Sequence, residues 1–115
     1  MRGEVQSIEA NDVPDWPRWR PANVAEERQW FTVKIGPFGG KGGDLFQVCV
    51  ASVAWLREIH RGKFVGLTVE RIDAVSVIRA IQQRIALVEA ATWEQFALAL
   101  APELKWEYMG TASTG

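Results

Sequence analysis

The run from Trp30 to Leu56, WFTVKIGPFGGKGGDLFQVCVASVAWL, constrains the fold more than any other part of the chain. Two alternating apolar segments flank a loop that holds five of the ten glycines, which is the pattern of a β-hairpin. Side chains of a strand point to opposite faces with period two, so Phe31, Val33 and Ile35 share one face, as do Phe46, Val48 and Val50. The opposite face carries Trp30, Thr32, Lys34, Leu45, Gln47 and Cys49. One apolar and one mixed face predict an antiparallel sheet buried on one side, with the mixed side free to meet something else.

Elements on either side of the hairpin follow from local signals. Glu4 to Ile8 can form a short first strand, and the turn formers Asn11, Asp12, Pro14, Asp15, Pro17 and Pro21 make residues 11–25 an ordered surface loop carrying Trp16 and Trp19. Ser52 is placed to cap a short helical turn over residues 52–59, whose Trp55 and Leu56 close one edge of the core. Alternation returns over residues 64–70, with Val65, Leu67 and Val69 on one face of another strand. Asp73 then sits where an N-cap belongs, ahead of Ala74, Ile78, Ile81, Ile85 and Val88 at helical spacing. Thr92-Trp93-Glu94-Gln95 fits a capping box and opens a second helix with Trp93, Phe96, Ala97 and Leu100 as its stripe. Pro102 ends that helix, residues 105–109 can return as a last strand, and the tail from Gly110 to Gly115 is expected to be mobile.

Composition bounds the function. At 115 residues, 48% hydrophobic and 23% charged, the chain is sized for one folded domain over residues 1–115, without a repeat or dividing linker. Thirteen basic against fourteen acidic residues, with no Lys/Arg block, omit the electrostatic footprint that nucleic-acid binding needs. The lone Cys49 forms no internal disulfide and suits a reducing cytoplasm. The N-terminus has no apolar signal region and no stretch reaches the about 20 residues that span a bilayer, so neither export by that route nor membrane insertion is expected.

No constellation of residues spells a reaction centre. The loop Gly36-Pro37-Phe38-Gly39-Gly40-Lys41-Gly42-Gly43 resembles a phosphate cradle only superficially: Lys41 precedes Gly instead of Ser or Thr, and the loop joins strand to strand, with no helix N-terminus behind it. His60 is the only histidine and has no ligand set around it. Cys49 lies among apolar residues, where a thiol is raised in pKa and inert, so a Cys49–His60 nucleophile pair is disfavoured. Glu26 with Glu27, and Glu94 with Glu103, can be imagined as paired carboxylates, but such acids are ordinarily exposed and unconnected. No cofactor or metal is expected. Of the six tryptophans, Trp55, Trp93 and Trp106 sit beside core positions, whereas Trp16, Trp19 and Trp30 lie in the loop or on the mixed face. Those three are either contact residues or the means by which the loop packs on the sheet.

The order of these marks is similar to a known family. Asp12 and Trp16, Trp19-Arg20-Pro21, Ile35-Gly36-Pro37 at the turn, Gly43 followed by Phe46, Val50, Trp55-Leu56, Trp93 and the closing Trp106-Glu107-Tyr108 together resemble the Immunity protein 8 family over nearly the whole chain. The resemblance implies a small α+β protein, encoded beside a bacterial polymorphic toxin, that binds and neutralises the cognate toxin domain in the producing cell, and it implies no catalytic residues. The expectation is therefore an α+β fold, an antiparallel sheet of four or five strands with two C-terminal helices packed on one face, that acts by stoichiometric binding in the cytoplasm and not as an enzyme. Asp12, Asp15, Trp16, Trp19, Lys34 and Glu107 are the expected partner contacts, because acidic and aromatic groups suit a toxin whose own site is basic or cleft-like. A self-associating module without a toxin partner, with two copies paired through the mixed sheet face or the strand edges, is the alternative.

Overall fold

The hairpin is the centre of the structure. In the computed structural model, which describes residues 1–58, 66–101 and 103–107, β2 (Arg28–Pro37) pairs antiparallel with β3 (Asp44–Ser52), setting Phe31 opposite Val48 and Val33 opposite Phe46. These four side chains, with Ile35 and Val50, are completely buried on the inner face. β1 (Gly3–Ala10) adds antiparallel along the other side of β2 and is longer than the expected Glu4–Ile8. Its register shifts between Val5 and Ser7, which makes Gln6 the extra residue of a bulge. In a regular strand Val5 and Ile8, three positions apart, would face opposite sides; the bulge lets both pack on the core.

Two three-residue strands share the far side of β3: β4 (Leu67–Val69) along Val50–Ser52 and β5 (Leu104–Trp106) along Phe46–Val48. The fold is thus α+β with five strands, but β4 departs from the antiparallel expectation and runs parallel to β3. Parallel pairing needs a crossover of about a dozen residues or more. The chain between Ser52 and Leu67, which opens with α1 (Val53–Glu58), supplies that length. Of the other sequence expectations, His60, the start of the strand at Phe64 and Val65, Pro102, Tyr108, Met109 and the tail lie outside the described residues.

Helix starts follow the caps. Ser52 Oγ accepts from the Trp55 amide at 3.0 Å ahead of α1, and Thr92 Oγ1 accepts from the Gln95 amide at 3.1 Å ahead of α3 (Trp93–Ala99). Asp73 Oδ1 accepts from the Ser76 amide at 2.8 Å and starts α2 (Ala74–Ala86). That backbone hydrogen bond holds the Asp73 carboxyl below its ordinary value, with smaller help from Arg20 and Arg79 against the opposing effect of burial. A carboxyl lowered on folding stabilises the fold above its unfolded pKa of about 3.9 and loses that contribution as pH falls through the folded value. Asp73→Ala should therefore cost about 1 kcal/mol at neutral pH. In urea titrations across pH, the gap between variant and wild type should close under acid conditions; a gap that stays constant would mean the carboxylate is not the cap.

Both C-terminal helices pack on the inner face. The stripe of α2 is centred on Val77, Ile81 and Ile85, continued by Val88, while Ala74 and Ile78, expected to be part of it, are only half-buried. The helix lies against both β1 and β4. From α3, Phe96 and Ala97 are fully buried, and Trp93 stacks on Phe96 at 5.0 Å between ring centroids.

The mixed outer face is not uniformly open. Cys49 and Ala51 are completely buried and Trp55 nearly so, beneath a cover in which the Arg28 guanidinium lies 5.3 Å from the Trp55 ring centroid. Burial pushes the Cys49 thiol up, against the charge and hydrogen bond of Arg28, which fits a packing role. Glu27, also buried, receives the Ser52 hydroxyl at 3.2 Å on Oε2. Its Oε1 lies 2.8 Å from Arg71 Nε, an ion pair whose N–H does not point along the contact. This cluster ties the start of β2 to the end of β3, to α1 and to the residues after β4.

Candidate functional site

The loop over residues 11–25 is ordered by its tryptophans. Trp16 opens a 3-10 turn (Trp16–Arg18), donates its indole N–H to the Ile8 carbonyl at 3.0 Å, and sets its ring edge-on to Phe31 at 5.1 Å between centroids. With 7% of its surface exposed it belongs to the core, so it fixes the loop and presents no contact surface of its own. The Trp19 amide closes the turn on the Trp16 carbonyl at 3.0 Å, and its half-buried ring packs against the core. Arg20 brackets this turn, donating to the carbonyls of Trp19 at 2.8 Å and Pro17 at 3.3 Å. Asp12 and Asp15 remain exposed on the loop so held. Ordering entropy is thereby paid during folding and not at the moment of binding.

Lys34 and Glu107 fall in one row elsewhere, on either side of Leu45. Strand register lines up Ser7, Lys34, Leu45 and Glu107 as one row across β1, β2, β3 and the end of β5, all on the outer face. The Glu107 amide donates to the Leu45 carbonyl at 3.0 Å, and Glu107 Oε1 accepts from the Leu45 amide at 3.2 Å, which fixes the carboxylate beside Leu45. Lys34 forms no ion pair with any described residue. The next outward row is Glu9, Thr32, Gln47 and Lys105. There Thr32 donates to Asn11 Oδ1 at 2.7 Å, Asn11 to Gln47 Oε1 at 3.0 Å, and Gln47 to Thr32 Oγ1 at 2.9 Å. This closed ring of hydrogen bonds ties β2 and β3 to the turn that follows β1. Beyond it, Lys105 Nζ lies 5.8 Å from the ring centroid of the half-buried Trp30.

Sequence reasoning missed two further features. Phe38 stands at the hairpin tip with 73% of its surface exposed, beside an open groove of about 300 Å³ lined by Gly3, Glu4, Val5, Gln82, Ile85 and Ala86. An aromatic residue inside a glycine-rich loop was its legible signal. The other is Asp44, whose Oδ2 accepts the indole N–H of both Trp93 at 2.7 Å and Trp106 at 3.0 Å. Nothing local in the sequence announces that convergence.

The imagined carboxylate pairs do not converge on a cleft. Glu26 Oε2 accepts from the Ala22 amide at 2.8 Å, Glu27 is held by Ser52 and Arg71, and Glu94 lies in the first turn of α3. Partial burial raises the Glu103 carboxyl, but its own backbone N–H and the hydrogen bond and charge of Arg84, at 3.2 Å, outweigh it and leave the pKa lowered. Among the described residues no group of three or more His, Cys, Asp or Glu is placed to hold a metal ion, and no helix is long and apolar enough to cross a membrane. What the surface offers is shape, a few fixed charges and exposed apolar side chains, the ingredients of protein recognition. In comparison with known proteins, the family model described as Immunity protein 8 matches residues 3–110. No curated protein and no solved structure matches the chain.

Proposed function

Because the chain belongs to the Immunity protein 8 family, we propose that it binds a cognate bacterial toxin domain and neutralises it stoichiometrically, without catalysis, in the cytoplasm of the cell that makes the toxin. The family match over residues 3–110 carries this reading. Its support in the geometry is the loop over residues 11–25, where buried Trp16 holds exposed Asp12 and Asp15 beside half-buried Trp19. Two exposed carboxylates on a loop pinned by an aromatic ring suit a toxin surface that is basic where it acts. A stable complex needs about 800 Å² from each partner, so the loop is the anchor of a larger contact that takes in its flanks. Lys34 and Glu107 stand apart from it, beyond the row of Glu9, Thr32, Gln47 and Lys105.

The test is co-expression with the toxin domain encoded beside this protein. Wild type should restore growth and co-purify with the toxin in one-to-one ratio. Asp12→Lys combined with Asp15→Lys should weaken the complex at least about tenfold, mostly through slower association. Both side chains are exposed, so the variant's melting curve should match wild type. Failure of wild type to protect or to co-purify would overturn the proposal; full protection by the double variant would move the contact off this loop.

A further inference from the structure

We infer that the open end of the outer sheet face, around Leu45, is a self-association surface whose occupant is a second copy of this chain, paired about a two-fold axis that passes above Leu45 along β3 and rises from the sheet toward Ala51, where Trp55 and Arg28 cover the face. The inference is independent of the toxin reading. It rests on the charge order of one row: Lys34 on β2, Leu45 on β3, Glu107 at the end of β5. Neighbouring strands lie about 4.8 Å apart on either side of β3, so an axis in the interface above Leu45 carries each β2 position of one copy onto a β5 position of the other. Lys34 then meets the second copy's Glu107, Glu107 meets the second copy's Lys34, and Leu45 meets its own image. This is the condition for an isologous interface, in which every contact occurs twice.

Three observations make the row fit for that use. Leu45 is an exposed aliphatic residue, 41% accessible, near the start of β3, with Lys34 and Glu107 on either side of it. Lys34 has no ion-pair partner among the described residues, while Glu107 is already positioned by its hydrogen bond from the Leu45 amide. The same axis places Gln47 against Gln47 and Lys105 against Thr32, so no like charges are opposed in the adjacent row. A shift of one strand spacing would instead lay Lys34 on Leu45 and Glu107 on Ser7, pairing neither charge with its opposite, so the charges select one register.

Sedimentation velocity of the full chain alone, from micromolar to millimolar concentration, tests the inference. Wild type should show a monomer–dimer equilibrium that weakens with added salt. Lys34→Glu, whose side chain has no described partner and should fold as wild type does, should weaken dimerisation by about tenfold, since it opposes two carboxylates twice over. Glu107→Lys should do likewise, and the double variant Lys34→Glu/Glu107→Lys should restore the dimer because the pairs re-form with reversed sign. A wild-type chain that stays monomeric throughout would overturn the inference. So would a dimer indifferent to Lys34→Glu, or one that the double variant fails to restore. None of these outcomes bears on toxin protection, which is read separately by growth.

Discussion

Replacing Asp44 by alanine should lower stability by about 3 kcal/mol, because one carboxylate oxygen accepts two indole N–H groups and hydrogen bonds to a charged acceptor each contribute about 1.5–3 kcal/mol, discounted here for partial exposure. For a chain of this length that is a fall of roughly 12 °C in melting temperature. The loss is more than two hydrogen bonds, since Asp44 begins β3, Trp93 begins α3 and Trp106 ends β5. One side chain therefore fastens a helix and a three-residue strand to the central hairpin. Asp44→Asn keeps a neutral acceptor oxygen and should lose about half as much. Calorimetry of the two variants separates charge from geometry; a melt of Asp44→Ala within a degree or two of wild type would show that the indoles find other partners.

Gly36→Ala should cost about 2–3 kcal/mol, toward the upper range for forcing atoms into a packed site. A Cβ at Gly36 would collide with the Gln6 amide and with the Gly42 carbonyl, and these two groups are hydrogen-bonded to each other at 2.6 Å. Removing the Gln6 side chain in the same molecule should recover only part of the loss, because the carbonyl is backbone and cannot swing aside. Gly40→Ala is the control: its nearest neighbour is Pro37 Cβ at 3.3 Å, and the change should stay within about 0.5 kcal/mol. Gly39 and Gly42 fall between, with open space around them but φ of +72° and +76° that disfavour any side chain. Urea denaturation of this series should rank Gly36 well above the rest. Equal losses at Gly36 and Gly40 would mean the loop yields freely and Gln6 holds nothing.

The parts of the fold written in short-range pattern were legible. Alternation placed β2 and β3 and assigned their inner faces, and Ser52, Asp73 and Thr92 marked helix starts, since a cap is a contact within one turn. Features decided by distant partners were not. Trp16 reads as an exposed anchor until the Ile8 carbonyl and Phe31 are placed beside it. Glu27 reads as a surface acid until Ser52 arrives from β3 and Arg71 from the residues after β4. Val77, and not Ile78, is the fully buried residue of the first part of α2, which packs against two strands. The parallel entry of β4 depends on where a crossover lands. The same distinction applies to the surface: Asp12 and Asp15 could be placed on an exposed loop from composition, whereas the alignment of Lys34 and Glu107 on either side of Leu45 is a product of register across three strands.

The indole of Trp16 also determines what the border of the sheet can do. β1 is the outermost strand, and Ile8 is one of the residues whose carbonyl points away from β2. That carbonyl is already taken, and the bulge at Gln6 twists the same border a turn earlier. A passing extended chain thus finds neither a straight nor a vacant template along β1, and fibril growth by strand addition is closed at that rim.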